Sequence, residues 1–474
     1  MSVLIPLLLS VVAAEGVVVG KITYPDAPEA ARELPVRTNK AVCGKRPIYA
    51  EDLLVARDGS LANVVVSVDA PAPAGLAPQG GHLEQEGCVF KPHVQSATQG
   101  AVLDIGNSDP VIHNVHALLG DRTVFNLAMP IPGLRVKRGL SEAGLISIRC
   151  DSGHDWMSAW VAVFPHPFHA TTSTSGEFRI AGLPAGRHRL RAWHERLGTR
   201  EVEVEVKPGE VTRVSVSFGS EAPEPPPPEV VPPPPPPPVV TRAGLPWDRA
   251  AAQALGRSPF LRHCAPCHGD AGDGRGEASR YLDAHPRDFR TGTYMFRTTA
   301  SGHLPTEDDL VRTIALGLPG TPMPPFSGRL SLEEMRTLAR YLMTLSPRFE
   351  TESPGMTVML PPAPARTASL VDEGGQLYKR LKCGQCHGPA GNLEDAEQTE
   401  LEDDWGHPIE ATDLTRGVFK GGPDPRALYR TLSTGLDGTP MPSFADVLPP
   451  AERWALVYYI LSLTSPSRTD HPGT

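Results

Sequence analysis

No block of lysine or arginine interrupts this chain, and its 45 basic residues fall short of its 54 acidic ones, for a net charge of −9. A surface that neutralises nucleic-acid phosphates needs the opposite imbalance, so nucleic acid is excluded as a partner. Past residue 14 no apolar run approaches the ~20 residues that cross a bilayer. The mature chain is therefore expected to be soluble, without a transmembrane span. One ordinary core cannot organise 474 residues, so three or four domains are expected.

What is present is more specific. The opening Met1–Ala14 is short, apolar and closes on small residues, which reads as a secretory signal cleaved near Ala14, although the usual basic start is missing. Seven cysteines divide without remainder. Four lie in two C-x-x-C-H pentapeptides, Cys264-Ala-Pro-Cys267-His268 and Cys383-Gly-Gln-Cys386-His387. Two thiols beside an imidazole are the pattern of covalent c-type haem attachment. The thiols bond the porphyrin edge, the histidine takes one axial position of iron, and a thioether can take the other. Each motif is followed by a matching loop, GLPGTPMPPF around Met323 and GLDGTPMPSF around Met441. Met441 is the only methionine after His387. In the first unit Met295, Met335 and Met343 compete with Met323, and the repeat selects Met323. Zinc prefers a closed shell of four N/S ligands, and each motif supplies three. A dithiol redox pair needs neither the trailing histidine nor the methionine loop.

The motifs belong to an internal repeat of one haem domain's length, since Pro286-Arg-Asp-Phe-Arg-Thr-Gly aligns with Ala411-Thr-Asp-Leu-Thr-Arg-Gly. Each unit opens on a helix leading into its motif and closes on another. The first closing helix starts at a capping box, Ser331-Leu-Glu-Glu334, and carries Leu332, Met335, Leu338, Ala339 and Leu342 on one face. Upstream, Glu221–Val240 contains seven consecutive prolines, Pro232–Pro238. Such a tract favours polyproline II, in which ~20 residues span roughly 60 Å. It reads as a rod, so the halves on either side meet only if it lets them.

Before the rod the pattern is β. Short β-branched runs such as Val17–Thr23, Leu61–Val68, Ala101–Ile105 and Leu145–Arg149 are separated by Gly, Pro and Asp. Cys150-Asp-Ser-Gly-His154-Asp-Trp-Met157 follows one strand, and Asn107-Ser-Asp-Pro-Val-Ile-His113-Asn-Val-His116 follows another. Two histidines, a cysteine and a weak methionine are the ligand set of a blue-copper site. His113 and His116, three apart, point to opposite faces of a strand.

The haem units, about 250–350 and 369–465, resemble class I cytochromes c, which implies an all-α fold, crossed first and last helices and His/Met iron. Residues of about 90–165 resemble a cupredoxin of the plastocyanin/amicyanin type, with a C-x3-H-x2-M loop between those of amicyanin and azurin. That resemblance implies type 1 copper on His113, Cys150, His154 and Met157, with His113 chosen over His116 for its His-Asn-Val context. Cys43 and Cys88 are then left to pair as a disulfide, a cross-link of roughly 4 kcal/mol in the chain-entropy model. His93 is expected to be an ordinary hydrogen-bonded histidine. Ser175-Gly-Glu-Phe-Arg-Ile-Ala-Gly-Leu-Pro-Ala-Gly resembles the carboxypeptidase regulatory-like module, a small transthyretin-type sandwich. It offers no aromatic platform for carbohydrate beyond Trp193, so a spacer is expected.

The expected fold class is multidomain, all-β in the N-terminal half and all-α in the C-terminal half. The expected order is signal peptide 1–14, cupredoxin-like domain 15–165, small sandwich 166–218, Pro-rich linker 219–245, cytochrome domain 246–350, linker 351–368 and cytochrome domain 369–474. The expected cofactors are two covalent haem c groups and one type 1 copper. The expected role is electron transfer in the bacterial periplasm between other redox proteins, with peripheral association with a membrane respiratory complex. The acidic run Glu394–Asp404 is expected to be solvated, or to dock a basic partner. The competing classes are a dihaem peroxidase or copper-dependent reductase, which needs an open metal position, and a copper-binding scaffold that carries haems.

Overall fold

In the computed structural model, the residues described are 15–25, 31–71, 77–219, 247–397 and 400–464. The expected signal peptide and the whole Glu221–Val240 proline tract lie outside them.

The larger β domain, the head, is a two-sheet sandwich. Its five-stranded sheet runs Arg122–Met129, His113–Leu119, Gly144–Arg149, Ser158–Phe164, Val94–Thr98, and the facing sheet runs Leu134–Gly139, Val102–Asn107, Gly81–Gln85, Phe90–Lys91. Alternate residues such as Leu83, Ile105, Val115, Ala117, Ile146 and Val161 point between the sheets and form its core. Side chains on a strand alternate faces, so one packed face is the ordinary result. The strand His113–Leu119 departs from it, with six of its seven residues buried, because its outer face is also covered.

The smaller sandwich departs from the expected boundaries. Glu15–Thr23 lies between Glu177–Pro184 and Val211–Ser217, parallel to the latter with Val17 opposite Val211. Val65–Val68 lies between His169–Thr171 and Gly186–His194. Two strands expected in the 15–165 domain thus complete the 166–218 sandwich. The reason is burial: Val18, Ile22, Val66 and Val68 share one core with Phe168, Phe178, Leu190 and Val216. The head is left with roughly 31–50 and 77–165.

Among the described residues, the regular structure of the C-terminal half is helical apart from a short β-ladder, Leu401–Glu402 with Pro408–Ile409, and an isolated bridge between Thr299 and Thr357. In the first cytochrome unit Arg249–His263 crosses Leu332–Leu345, and in the second Ala368–Arg380 crosses Pro450–Leu463. Both crossings are made at a glycine. A Cβ on Gly256 would lie 2.3 Å from Tyr341 Cβ, and one on Gly374 would lie 2.1 Å from the Ala455 carbonyl oxygen. Only a residue without a side chain lets the helices approach so closely. Ser331 caps the first closing helix, its hydroxyl accepting from Glu334 N–H while the Glu334 carboxylate accepts from Ser331 N–H. No helix among the described residues is long and apolar enough to cross a membrane.

The head packs directly on the helical half. Ala128 N–H donates to the Ser443 carbonyl at 3.1 Å and Ser443 N–H to the Asn126 carbonyl at 3.0 Å, a short ladder between the head's outer strand and the Met441 loop. Asn126 N–H also donates to Ser301 Oγ of the first cytochrome unit, at 3.0 Å. Ala128 belongs to the core of the second cytochrome unit.

Candidate functional site

Each cytochrome unit holds one apolar cleft. The first, about 1360 Å³ with its mouth, is lined by Cys264, Cys267, His268 and Met323, and the second, about 1610 Å³, by Cys383, Cys386, His387 and Met441. The C-x-x-C-H turns follow the opening helices directly, as the short helices Ala265–His268 and Gly384–His387. His268 Nδ1 lies 3.0 Å from the Arg287 carbonyl and His387 Nδ1 lies 2.8 Å from the Thr412 carbonyl. A carbonyl can only accept, so each Nδ1 carries the hydrogen and each Nε2 lone pair is left as a ligand. Burial lowers the pKa of both imidazoles and keeps them neutral.

The methionine loops have the same geometry. Leu318 N–H donates to the Met323 carbonyl at 3.1 Å, and Leu436 N–H to the Met441 carbonyl at 3.0 Å. Thr321 Oγ1 accepts from Met323 N–H, as Thr439 Oγ1 does from Met441 N–H. Met295 also lines the first cleft, whereas the other expected competitors, Met335 and Met343, are buried in the helical core.

Burial pushes the thiols of Cys264 and Cys383 up to about 12 and that of Cys386 to about 11. A dithiol redox catalyst needs a stabilised thiolate, so these cysteines are unsuited to that role. The clefts do suit haem: apolar walls, two thiols at the rim, a fixed imidazole and a thioether. Tyr294 Oη, at the first cleft, is buried with no hydrogen-bond partner, as a group waiting for a porphyrin carboxylate would be.

The head carries a second kind of site. His113 Nδ1 and His154 Nδ1 are 3.0 Å apart, and lie 3.8 and 3.6 Å from Cys150 Sγ. Three donors at ~2.0–2.3 Å from one ion would be separated by about that much. Both rings commit their outer nitrogen elsewhere: His113 Nε2 to Asp109 Oδ2 at 3.1 Å, and His154 Nε2 to Asn39 Oδ1 at 2.8 Å. With one hydrogen per ring, both Nδ1 lone pairs face the sulfur, an arrangement a cation relieves. Burial pushes the Cys150 thiol up to about 12 and, with His113 beside it, the His154 imidazole down to about 3. Burial works against Asp109, but hydrogen bonds from His113, Cys88 N–H and Gly87 N–H hold its carboxyl below the usual range. Met157, fully buried, follows in the same turn, its N–H donating to the His154 carbonyl at 2.8 Å. Cys43 and Cys88 are joined, S–S 2.05 Å, and Cys43 Sγ lies 3.9 Å from His154 Nε2.

His116 faces away from this cluster. Its Nδ1 bonds Asp151 Oδ2 at 2.7 Å, and its Nε2 lies 3.1 Å from Thr123 Oγ1 and 3.6 Å from Asp404 Oδ2. Asp404 also accepts from Arg149 Nη2 at 2.7 Å, and its side chain has no exposed surface. The end of the acidic run, expected to be solvated or to dock a partner, is thus taken by the head. His93 is hydrogen-bonded, to the Ser158 carbonyl and Glu195. Sequence reasoning missed Asn39 and the Asp151–His116–Asp404 contact. The Asn107-x-Asp109 context did contain the signal for Asp109.

Residues 251–342 and 369–460 each match the sequence model of the family described as cytochrome C oxidase, cbb3-type, subunit III. The chain is 27% identical over 222 residues to the cbb3-type cytochrome c oxidase subunit FixP of Bradyrhizobium diazoefficiens, covering 45% of this chain and 62% of that protein. It therefore spans about six-tenths of the length of that relative. A chain of the reducing HAO-like protein complex of Kuenenia stuttgartiensis is 40% identical, covering 44% of this chain and 96% of that one, with a TM-score of 0.44. A purple cupredoxin from Nitrosopumilus maritimus is 20% identical, covering 18% of this chain and 98% of that one, with a TM-score of 0.16. Each of the two helical units is thus similar to the cbb3-type subunit III cytochrome domain, and they carry two covalent haem c groups. Their general role is electron transfer.

Proposed function

We propose that the chain is an exported multi-centre electron carrier. His268 with Met323 and His387 with Met441 are the axial pairs of its haems, and His113, Cys150, His154 and Met157 hold one type 1 copper. The bound groups supply reversible one-electron chemistry, and the protein's part is to hold them rigidly and exclude water. The observation that carries this reading is the convergence of two Nδ1 atoms and one Sγ within 3.8 Å inside the head, in a chain that also holds two haem clefts. Filled axial positions on both irons leave none for peroxide or nitrite, which favours carriage over catalysis. A disulfide in the head agrees with a periplasmic setting. The relatives named as oxidase subunits support docking with a membrane respiratory complex and exchange with other redox proteins.

Metal analysis and visible spectra of the matured full-length protein test this reading. The expected result is two irons and one copper per chain, low-spin haem in both redox states and an intense thiolate-to-copper band. Two irons with no copper at saturating Cu(II) would reduce the head to a scaffold, and a high-spin haem with peroxide turnover would make the protein an enzyme.

A further inference from the structure

Three domains border the second haem cleft. Besides its own residues, Ile112, Asp151 and Ser152 of the head and Met295 and Phe296 of the first cytochrome unit line it. Met295, Phe296 and Lys420 line the first cleft too, so the two clefts share a wall. No described residue of the head lines the first cleft.

From this placement we infer that the second haem is the junction of the chain's redox centres, in the order head, second haem, first haem. The inference rests on the copper reading given above. Asp151 and Ser152 directly follow the thiolate residue Cys150, so the segment that begins at the metal cluster ends at the second cleft. It is held there on several sides. Asn114 Oδ1 accepts from Asp151 N–H at 2.6 Å and from Ser152 Oγ at 3.2 Å, while Asp404 on the cytochrome side is bonded to Arg149.

The histidine edge of the cluster is closed to solvent. His154 has no exposed surface, and its outer nitrogen is capped by Asn39, whose amide in turn donates to Glu397 of the second cytochrome unit at 3.3 Å. The segment carrying Asn39 is fastened by the Cys43–Cys88 disulfide, by a Thr38 hydroxyl bond to the Gly153 carbonyl and by an Arg37–Asp155 ion pair. An outside protein cannot touch the histidine edge. The Cys150–Ser152 segment, which borders the second cleft, is the direct covalent path toward it. Along it a copper held by His113, Cys150, His154 and Met157 would exchange one electron at a time with iron held by His387 and Met441, Cu(I) going to Cu(II) as ferric iron becomes ferrous, with no bond made or broken and no proton moved. The same exchange would follow with iron held by His268 and Met323 across the Met295–Phe296 wall.

The test is magnetic and needs no partner. Full-length protein with both haems oxidised is compared with and without Cu(II), reading the electron-spin relaxation of each low-spin haem signal. Met323→His and Met441→His variants assign the two signals. Copper should speed relaxation of the second haem's signal several-fold more than that of the first. Equal effects, or a larger effect on the first haem, with a normal thiolate–copper band would overturn this order and leave the copper reading intact. Absence of the thiolate band would overturn both.

Discussion

Arg297 Nη2 and Asp437 Oδ1 form an ion pair of 2.7 Å across the boundary between the two cytochrome units, with side-chain exposures of 0% and 4%. Arg297 also donates to the Thr434 carbonyl, and Asp437 accepts from Ser301 Oγ and Gly302 N–H. Removing one partner of such a pair strands the other charge out of water, at a cost of about 3–5 kcal/mol. Arg297→Met is therefore expected to loosen the two units, so that calorimetry of the haem-loaded protein shows their melting transitions separating. One unshifted transition would mean that the pair does not join them. Adding Asp437→Leu should recover part of the loss, since the uncompensated carboxylate is then gone.

A second buried pair joins the head to the small sandwich. Glu195 accepts from His93 on one oxygen and from Trp160 Nε1 on the other, the latter at 3.0 Å. Burial acts to lower the His93 pKa, but Glu195 and the Ser158 carbonyl hold it above 6.5. Burial acts to raise Glu195, but His93 and Trp160 hold it below 4.5. A raised histidine gives its full contribution below 6.5 and loses it as pH climbs through the raised value. A lowered carboxylate contributes above 4.5 and loses that as pH falls through the lowered value. The pair should thus stabilise the β half between those limits. The melting temperature of that half should fall from neutral into alkaline pH, and the slope should flatten in His93→Gln. An equal slope in the variant would assign it to other groups.

Met323 and Met295 both line the first cleft, but only Met323 sits in the loop repeated around Met441. Met323→Ala is expected to convert the first haem to a high-spin spectrum and lower its reduction potential, as loss of a thioether ligand does. Met295→Leu should keep both haems low-spin. High-spin character in the leucine variant alone would move the ligand to Met295.

The haem sites were readable because their signals are contiguous: two thiols and an imidazole within five residues, then a loop written twice. The grouping of His113, Cys150 and His154 in the head was readable from two strand-end segments whose residue types match a known ligand set. Assignment of Glu15–Thr23 and Val65–Val68 to a sandwich was not readable, since every half-buried strand shows the same period of two whichever sheet receives it. The docked arrangement was hidden for another reason. Asn126, Ser301 and Ser443, which stitch it together, are ordinary polar residues more than a hundred positions apart, and a proline rod between the halves suggested separation. Asp404 lay in an acidic run whose other members gave it the look of a solvated face.

Docking should hinge on Gly302. Its φ is +84°, and a Cβ there would lie 1.9 Å from the Val124 carbonyl oxygen of the head. Gly302→Ala adds backbone strain as well as that collision, at a cost of more than about 1 kcal/mol. The expected outcome is release of the head with both haem spectra unchanged, seen as a larger radius of gyration in solution scattering. An unchanged radius would show that the interface absorbs the methyl group.

Asp109 is the residue whose loss should separate metal affinity from fold. It accepts from His113 Nε2, fixing the ring so that Nδ1 faces Cys150, and its oxygens also take Gly87 and Cys88 N–H at 2.8 Å each. Outer partners of this kind commonly govern metal affinity by about 10–100-fold. Asp109→Ala is expected to weaken copper binding by about that factor, read by competition with a coloured chelator. Asp109→Asn can still accept from the ring, so it should fall between the two. Cys150→Ser should abolish the thiolate band at any copper concentration while leaving both haem spectra as they were. If Asp109→Ala binds copper as tightly as the parent, the Asp109–His113 bond holds the β-sandwich together without setting the ligand geometry.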